Sequence, residues 1–185
     1  MNLPNALAIL RMILAPILFF ILINDFDIDQ SWVNYFAALV FGIGALSDFF
    51  DGYIARAWGQ KTKLGAIIDP LADKMLILAA FLGIILRENV DDGAYFFKIW
   101  LVYIILVREF FITGFRVVMV AQNMDISASF AGKLKTTFQM IAIIFLIMRW
   151  HLGIYLDDIL LFVAFGFTLY SGFEYILTYI KTNKA

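Results

Sequence analysis

Six long apolar stretches, separated only by short polar connectors, constrain this chain more than any other feature. They cover approximately 5–23, 32–57, 70–86, 94–120, 128–150 and 155–180. Each can supply the ~20 residues needed to cross a ~30 Å hydrocarbon core, the third lying nearest the ~17-residue minimum. Runs this long lack the alternation of a barrel strand, so helices are the spanning elements they predict. The expectation is an all-α integral membrane protein with six transmembrane helices, neighbours antiparallel, in one domain over residues 1–185.

Composition agrees. The chain is 63% hydrophobic, against roughly 45–50% for a soluble domain. Its net charge of −1 points to no acidic partner such as nucleic acid. With no Cys and one His, disulfides, thiolate sites, a Cys nucleophile and a histidine-rich metal site are excluded. Any metal must be a hard cation held by carboxylate oxygen. The N-terminus reads as retained in the mature protein, since Pro4 comes early, Arg11 interrupts the apolar run and no small-residue cleavage site follows.

Orientation follows from Lys and Arg near the connectors. One side has seven, Arg56, Lys61, Lys63, Lys133, Lys135, Lys181 and Lys184, and the other has three, Arg87, Lys98 and Arg149. Both termini are therefore expected in the cytoplasm. The connectors "NDFDIDQ" and "RENVDDGAY" then face outward, and their acids read as solvated loop charges. Trp100, Trp150, Tyr95 and Tyr155 suit an aromatic belt at the outer interface, and His151 an interfacial position beside it.

One stretch resists this description. "SDFFDGYIARAWGQKTKLGAIIDPLADK" places Asp48, Asp51, Asp69 and Asp73 between strongly apolar segments. At about 100° per residue, Asp51, Gly52 and Ala55 fall within about 60° of Asp48, with Arg56 at the edge of that face. On the next helix Gly65, Asp69 and Asp73 fall within about 80° of one another. If the two faces meet, four carboxylates converge. Each Asp at a helix centre costs ~2.5–3.5 kcal/mol even on the mild insertion scale, and convergence adds mutual repulsion. Divalent cations relieve both, and four carboxylates balance two such ions, the arrangement that clamps a phosphoryl group. Without His and Cys, Mg²⁺ or Mn²⁺ are the natural occupants. Gly52, Ala55 and Gly65 leave room for a helix or a flat ligand; plain small-residue helix packing is the competing reading.

Basic groups reappear in "VREFFITGFRVVMV" and "AGKLKTTFQM". Arg108 and Arg116 lie about 80° apart on the fourth span, and Glu109 lies close to Arg116 in angle. Lys135 and Gln139 form an i, i+4 pair on the fifth. Lys133 is about 200° from Lys135, so the two cannot face one pocket, and Lys135 is the candidate. For Arg116 the competing reading is a side chain that snorkels to the membrane surface. "AGKLKT" lacks the first Gly and the Ser/Thr after Lys of a phosphate loop, and that motif is rejected.

The spacing of Asp48, Asp51, Gly52, Ala55, Arg56, Gly65, Asp69 and Asp73 resembles the signature of the CDP-alcohol phosphotransferase family, with every fixed position filled. The resemblance covers nearly the whole chain. "NLPNALAILR", "DPLADK", "REF" and "GKLKTTFQ" resemble the phosphatidylglycerophosphate synthase branch, whose members condense CDP-diacylglycerol with glycerol-3-phosphate and release CMP. It departs at Ala8, where the family usually has Thr; that hydroxyl is missing, while the metal positions are untouched and Asn5 remains.

The resemblance implies six transmembrane helices, a homodimer, and a cavity open to the cytoplasm and laterally to lipid, in the cytoplasmic membrane. It implies that Asp48, Asp51, Asp69 and Asp73 hold two divalent cations, with Asp73 also the general base. Asn5, Asp48, Gly52, Ala55, Arg56 and Gly65 would then bind CDP. Arg108, Arg116 and Lys135 would receive the acceptor phosphate. Three other readings compete: a sister enzyme using another acceptor such as serine or an inositol phosphate, a cation-coupled transporter, and a structural lipid-binding protein. Transporter acids would be spread to midplane depth beside a helix break, whereas these four cluster at one membrane face. A lipid-binding protein has no need of four acids at this spacing.

Overall fold

The computed structural model describes residues 3–57, 65–87, 93–121, 130–149 and 156–182. Within them, side chains at 4, 51–57, 66, 67, 93–95, 116–121, 130, 131, 133, 178, 179, 181 and 182 lie outside the description. The described residues form six α-helices and no strand: α1 Leu3–Ile23, α2 Gln30–Ala57, α3 Gly65–Arg87, α4 Gly93–Ala121, α5 Phe130–Met148 and α6 Leu156–Thr182. Each apolar stretch thus corresponds to one helix. Among the described residues, α1, α2 and α6 are long and apolar enough to cross a membrane by composition alone. Helix α5 contributes a shorter apolar stretch, Leu134–Met148, among the described residues, and α3 and α4 carry charged residues discussed below.

The helix ends follow from backbone accounting. Asn24 stops α1 by donating its side-chain amide and its backbone N–H to the Phe20 carbonyl, at 2.8 and 3.3 Å. Asp29 opens α2, its carboxylate accepting the Ser31 N–H at 2.8 Å in the manner of an N-cap. The apolar run of the third span begins at Pro70, but α3 begins earlier, at Gly65. That start carries Asp69 and Asp73 on one helix, a turn apart. At the end of α5, Arg149 adopts the left-handed conformation (φ 49°) common just past a helix. The last carbonyls there are taken up by side chains. Arg87 donates to the Ile147 carbonyl at 3.2 Å and Asn34 to the Met148 carbonyl at 3.5 Å, while Arg87 also donates to the Asn34 side-chain oxygen at 2.7 Å.

The chain forms two compact units. The first comprises 1–91 with 146–149, the second 92–145 with 150–185. In the first, α1 packs against both α2 and α3. Ala8, Arg11, Ala15, Leu18 and Leu22 are buried on α1, spaced as one helical stripe. Small residues set the distance of approach. A methyl group added to Gly83 would lie 2.8 Å from Leu22 Cβ, and one added to Gly44 would lie 2.6 Å from Leu76 Cδ2. The opposite faces are apolar and exposed, with Ile13, Ile17 and Phe20 on α1 and Trp32, Phe36, Leu39, Ile43, Leu46 and Phe50 on α2. An apolar surface of that extent marks contact with lipid or protein rather than water.

In the second unit α4 packs against α6, and α5 joins through a stacked Phe138–Phe167 pair with ring centroids 5.1 Å apart. Leu101, Val102 and Ile105 face inward from α4, and Leu161 and Ala164 from α6. Two buried hydroxyls of α6 are satisfied locally, Thr168 donating to the Ala164 carbonyl at 2.7 Å and Ser171 to the Thr168 carbonyl at 3.2 Å.

Candidate active site

Asp48 lies near the end of α2 that leads toward α3, following the buried Ser47, whose hydroxyl bonds the Gly44 carbonyl at 2.7 Å. Its partner comes from a third helix. Arg11, wholly buried on α1, donates to Asp48 Oδ1, while about a third of the Asp48 side chain remains exposed. The charges of Asp73 and Lys74 on α3 also bear on Asp48, and that of Arg11 bears on Asp69. Acids from α2 and α3 are therefore within electrostatic reach of one another.

Asp69 is partly buried, and its Oδ1 is shut off from solvent with no hydrogen-bond partner among the described residues. A buried carboxylate oxygen left in that state requires a partner. Asp73, one turn on, accepts a 2.7 Å bond from Lys74 on Oδ2. Gly65 is buried at the start of the same helix. Asp51, Gly52, Ala55 and Arg56 continue α2 for a further two turns; their side chains lie outside the described residues. Asn5 is half-buried on α1. Ala8, where a Thr was expected, is fully buried.

These donors suit a hard divalent cation. They are oxygen only, and one of their oxygens is buried without a hydrogen-bond partner among the described residues. Among the described residues no three acidic or histidine side chains gather as a complete ligand set, and Asp51 is outside that description.

Two basic candidates of the second unit, Arg108 and Lys135, are already engaged. Lys135 donates to Glu109 Oε1 at 2.5 Å, and Arg108 reaches the same oxygen at 3.4 Å. Arg108 also donates to Ser171 Oγ at 2.8 Å and packs against Gly172. Glu109 is almost wholly buried, so one carboxylate holds two cations in place. Arg116 continues α4, its side chain outside the described residues. Gln139, one turn from Lys135, is fully buried with neither amide atom bonded among the described residues.

Sequence reasoning missed Arg11, Lys74 and Glu109 as members of these groups. The signal for Arg11 was present, since it is the one charged residue in α1, and an intramembrane Arg implies a partner. Its partner could not be named before α1 and α2 were packed together.

A family model described as CDP-alcohol phosphatidyltransferase matches residues 1–170, which takes in α1 to α5 and more than half of α6. Relatives from Shigella flexneri serotype 5b (strain 8401), Shigella boydii serotype 4 (strain Sb227) and Escherichia coli (strain K12) are each 35% identical over 182 residues, covering 95% of this chain and 93% of the relative. All three bear the name CDP-diacylglycerol–glycerol-3-phosphate 3-phosphatidyltransferase. A family model that spans most of the chain and relatives matched along almost its whole length show that the chain belongs to the CDP-alcohol phosphatidyltransferase family.

Proposed function

We propose that this protein transfers the phosphatidyl group of CDP-diacylglycerol to glycerol-3-phosphate, giving phosphatidylglycerophosphate and CMP. The observation that carries the reading is the agreement in name of relatives matched over 95% of the chain, and the acid cluster supplies the chemistry. Asp48, Asp51, Asp69 and Asp73 would hold two divalent cations, Mg²⁺ or Mn²⁺, whose bound charge stabilises the phosphoryl oxygens and the departing CMP. Asn5, Asp48, Gly52, Ala55, Arg56 and Gly65 line the CDP site.

Asp73 takes the proton from the 1-hydroxyl of glycerol-3-phosphate. That oxygen attacks the phosphorus bearing diacylglycerol, and the bond from that phosphorus to the CMP oxygen breaks in line. Lys74 bonds one Asp73 oxygen at 2.7 Å. Arg108, Arg116 and Lys135 bind the acceptor phosphate, the Arg fork suiting a phosphate geometrically. Glu109 holds Arg108 and Lys135 in position.

In this reading all six helices cross the bilayer. The shortest, α5, has 19 residues, about 28 Å at ~1.5 Å per residue, close to the ~30 Å hydrocarbon thickness. The protein is a single domain and a homodimer in the cytoplasmic membrane, with both termini and the acid cluster on the cytoplasmic side. The acyl chains stay in lipid while the head group enters the polar site.

The test is CMP release from CDP-diacylglycerol by the purified protein, with glycerol-3-phosphate, serine, inositol, inositol phosphate and phosphatidylglycerol as acceptors. Turnover is expected with glycerol-3-phosphate, lost in Asp73→Asn, abolished by EDTA and restored by Mg²⁺ or Mn²⁺. Turnover with a different acceptor alone would overturn the substrate assignment. Normal turnover by Asp73→Asn would overturn the role of that residue.

A further inference from the structure

We propose that Ser171 is a positioning residue for the acceptor: its hydroxyl aims the Arg108 guanidinium at the acceptor phosphate without neutralising it. The inference rests on the transfer to glycerol-3-phosphate proposed above and adds α6 to the acceptor site.

The observations are two hydrogen bonds and a close approach, all within the second unit. Arg108 comes from α4, and its Nη2 donates to Ser171 Oγ on α6 at 2.8 Å. Ser171 is buried, and it spends its one hydroxyl proton on the Thr168 carbonyl at 3.2 Å. The serine oxygen can therefore meet Arg108 only as an acceptor. Gly172, the next residue, allows the guanidinium to lie against α6, since a methyl group there would come 2.9 Å from Arg108 Nε. The cation is thus set by α6 at Nε and Nη2, and by Glu109 at Nη1, 3.4 Å away.

A guanidinium carries its five N–H donors in one rigid plane, so fixing two of its nitrogens fixes the direction of the others. Nη1 and Nη2 each carry a second N–H, and such a pair suits the two oxygens of a phosphate. A carboxylate at position 171 would hold the plane as well, but its charge would compete with the phosphate for the same cation. A hydroxyl holds the plane and leaves the charge to the ligand. The Arg108 side chain keeps 15% of its surface exposed, so it is held without being sealed off. The competing explanation is a structural tie between α4 and α6. That tie would cost stability when broken but would not distinguish one substrate from the other.

The test is steady-state CMP release by the full-length protein in mixed detergent–phospholipid micelles, with glycerol-3-phosphate and CDP-diacylglycerol varied in turn. Ser171→Ala is expected to raise the KM for glycerol-3-phosphate about tenfold, the worth of a hydrogen bond to a charged group. The KM for CDP-diacylglycerol should stay as in wild type. Ser171→Thr, whose hydroxyl can bond the same carbonyl, should restore the glycerol-3-phosphate KM. Gly172→Ala keeps the hydroxyl but displaces the guanidinium, and it should raise that same KM alone. If Ser171→Ala shows no cooperative thermal transition, Gly172→Ala decides the matter. A glycerol-3-phosphate KM unchanged in the deciding variant, or an equal rise in both KM values, would overturn the inference and leave the proposed transfer standing. No turnover of glycerol-3-phosphate by the wild type would overturn both.

Discussion

Asp29 and Asp48 show how far the job of one aspartate depends on its neighbours. Asp29 belongs to a connector whose acids read as solvated charges, yet its carboxylate caps α2. The Ser31 backbone N–H, with a smaller contribution from the Ser31 side chain, holds Asp29 below the usual carboxylate range. A group depressed in this way stabilises the folded state above its unfolded pKa, and that contribution is lost as pH falls through the folded value. Asp29→Ala should therefore lower the thermal midpoint at neutral pH, and the gap to wild type should close in acid; a gap constant with pH would deny the carboxylate its capping role. Asp48 meets the opposite surroundings, a buried guanidinium from another helix. The two residues look alike in the chain, and only their partners separate them.

At the scale of the helix, the close approach of α1 and α3 turns on Gly83. An alanine methyl there meets Leu22 Cβ, an atom tied to the α1 backbone, so the helix itself must move. At Gly44 the obstacle is a terminal methyl of Leu76, which can turn aside. Replacing Gly by Ala within a helix gains roughly 1 kcal/mol of propensity, and overpacking costs about 1–3 kcal/mol. Overpacking wins at Gly83 and is nearly offset at Gly44. Gly83→Ala is thus expected to lower stability by up to about 2 kcal/mol, and Gly44→Ala to leave it within about 1 kcal/mol of wild type. Thermal unfolding in detergent checks both, and equal effects would contradict the distinction. Helix existence was legible from the apolar runs, but this ordering of two glycines was not, because it depends on which atom of a neighbouring helix lies opposite.

For the whole molecule, the lack of cysteine permits a direct test of topology. Single-cysteine variants at Asp27, between α1 and α2, and at Lys61 or Lys184 should be labelled from opposite sides of intact spheroplasts by a membrane-impermeant maleimide. Asp27→Cys is expected to react from outside, and Lys61→Cys and Lys184→Cys only after lysis. Labelling of Lys61→Cys in intact cells would reverse the proposed orientation and place the acid cluster outside the cytoplasm. The basis is the excess of Lys and Arg on one side, a property of the chain that folding does not alter.

By itself the sequence determined six apolar helices and a four-aspartate motif specific enough to point to a family. These depend on period, length and spacing, which are local properties of a chain. Tertiary structure alone decided that Arg11 pairs with Asp48 across 37 positions, that Glu109 serves both Arg108 and Lys135, and that a methyl group at Gly83 would meet Leu22 Cβ. A charge inside a membrane announces that it needs a partner. Which residue answers is settled only when the helices pack, since the low dielectric that demands the pair acts on distance in space rather than along the chain.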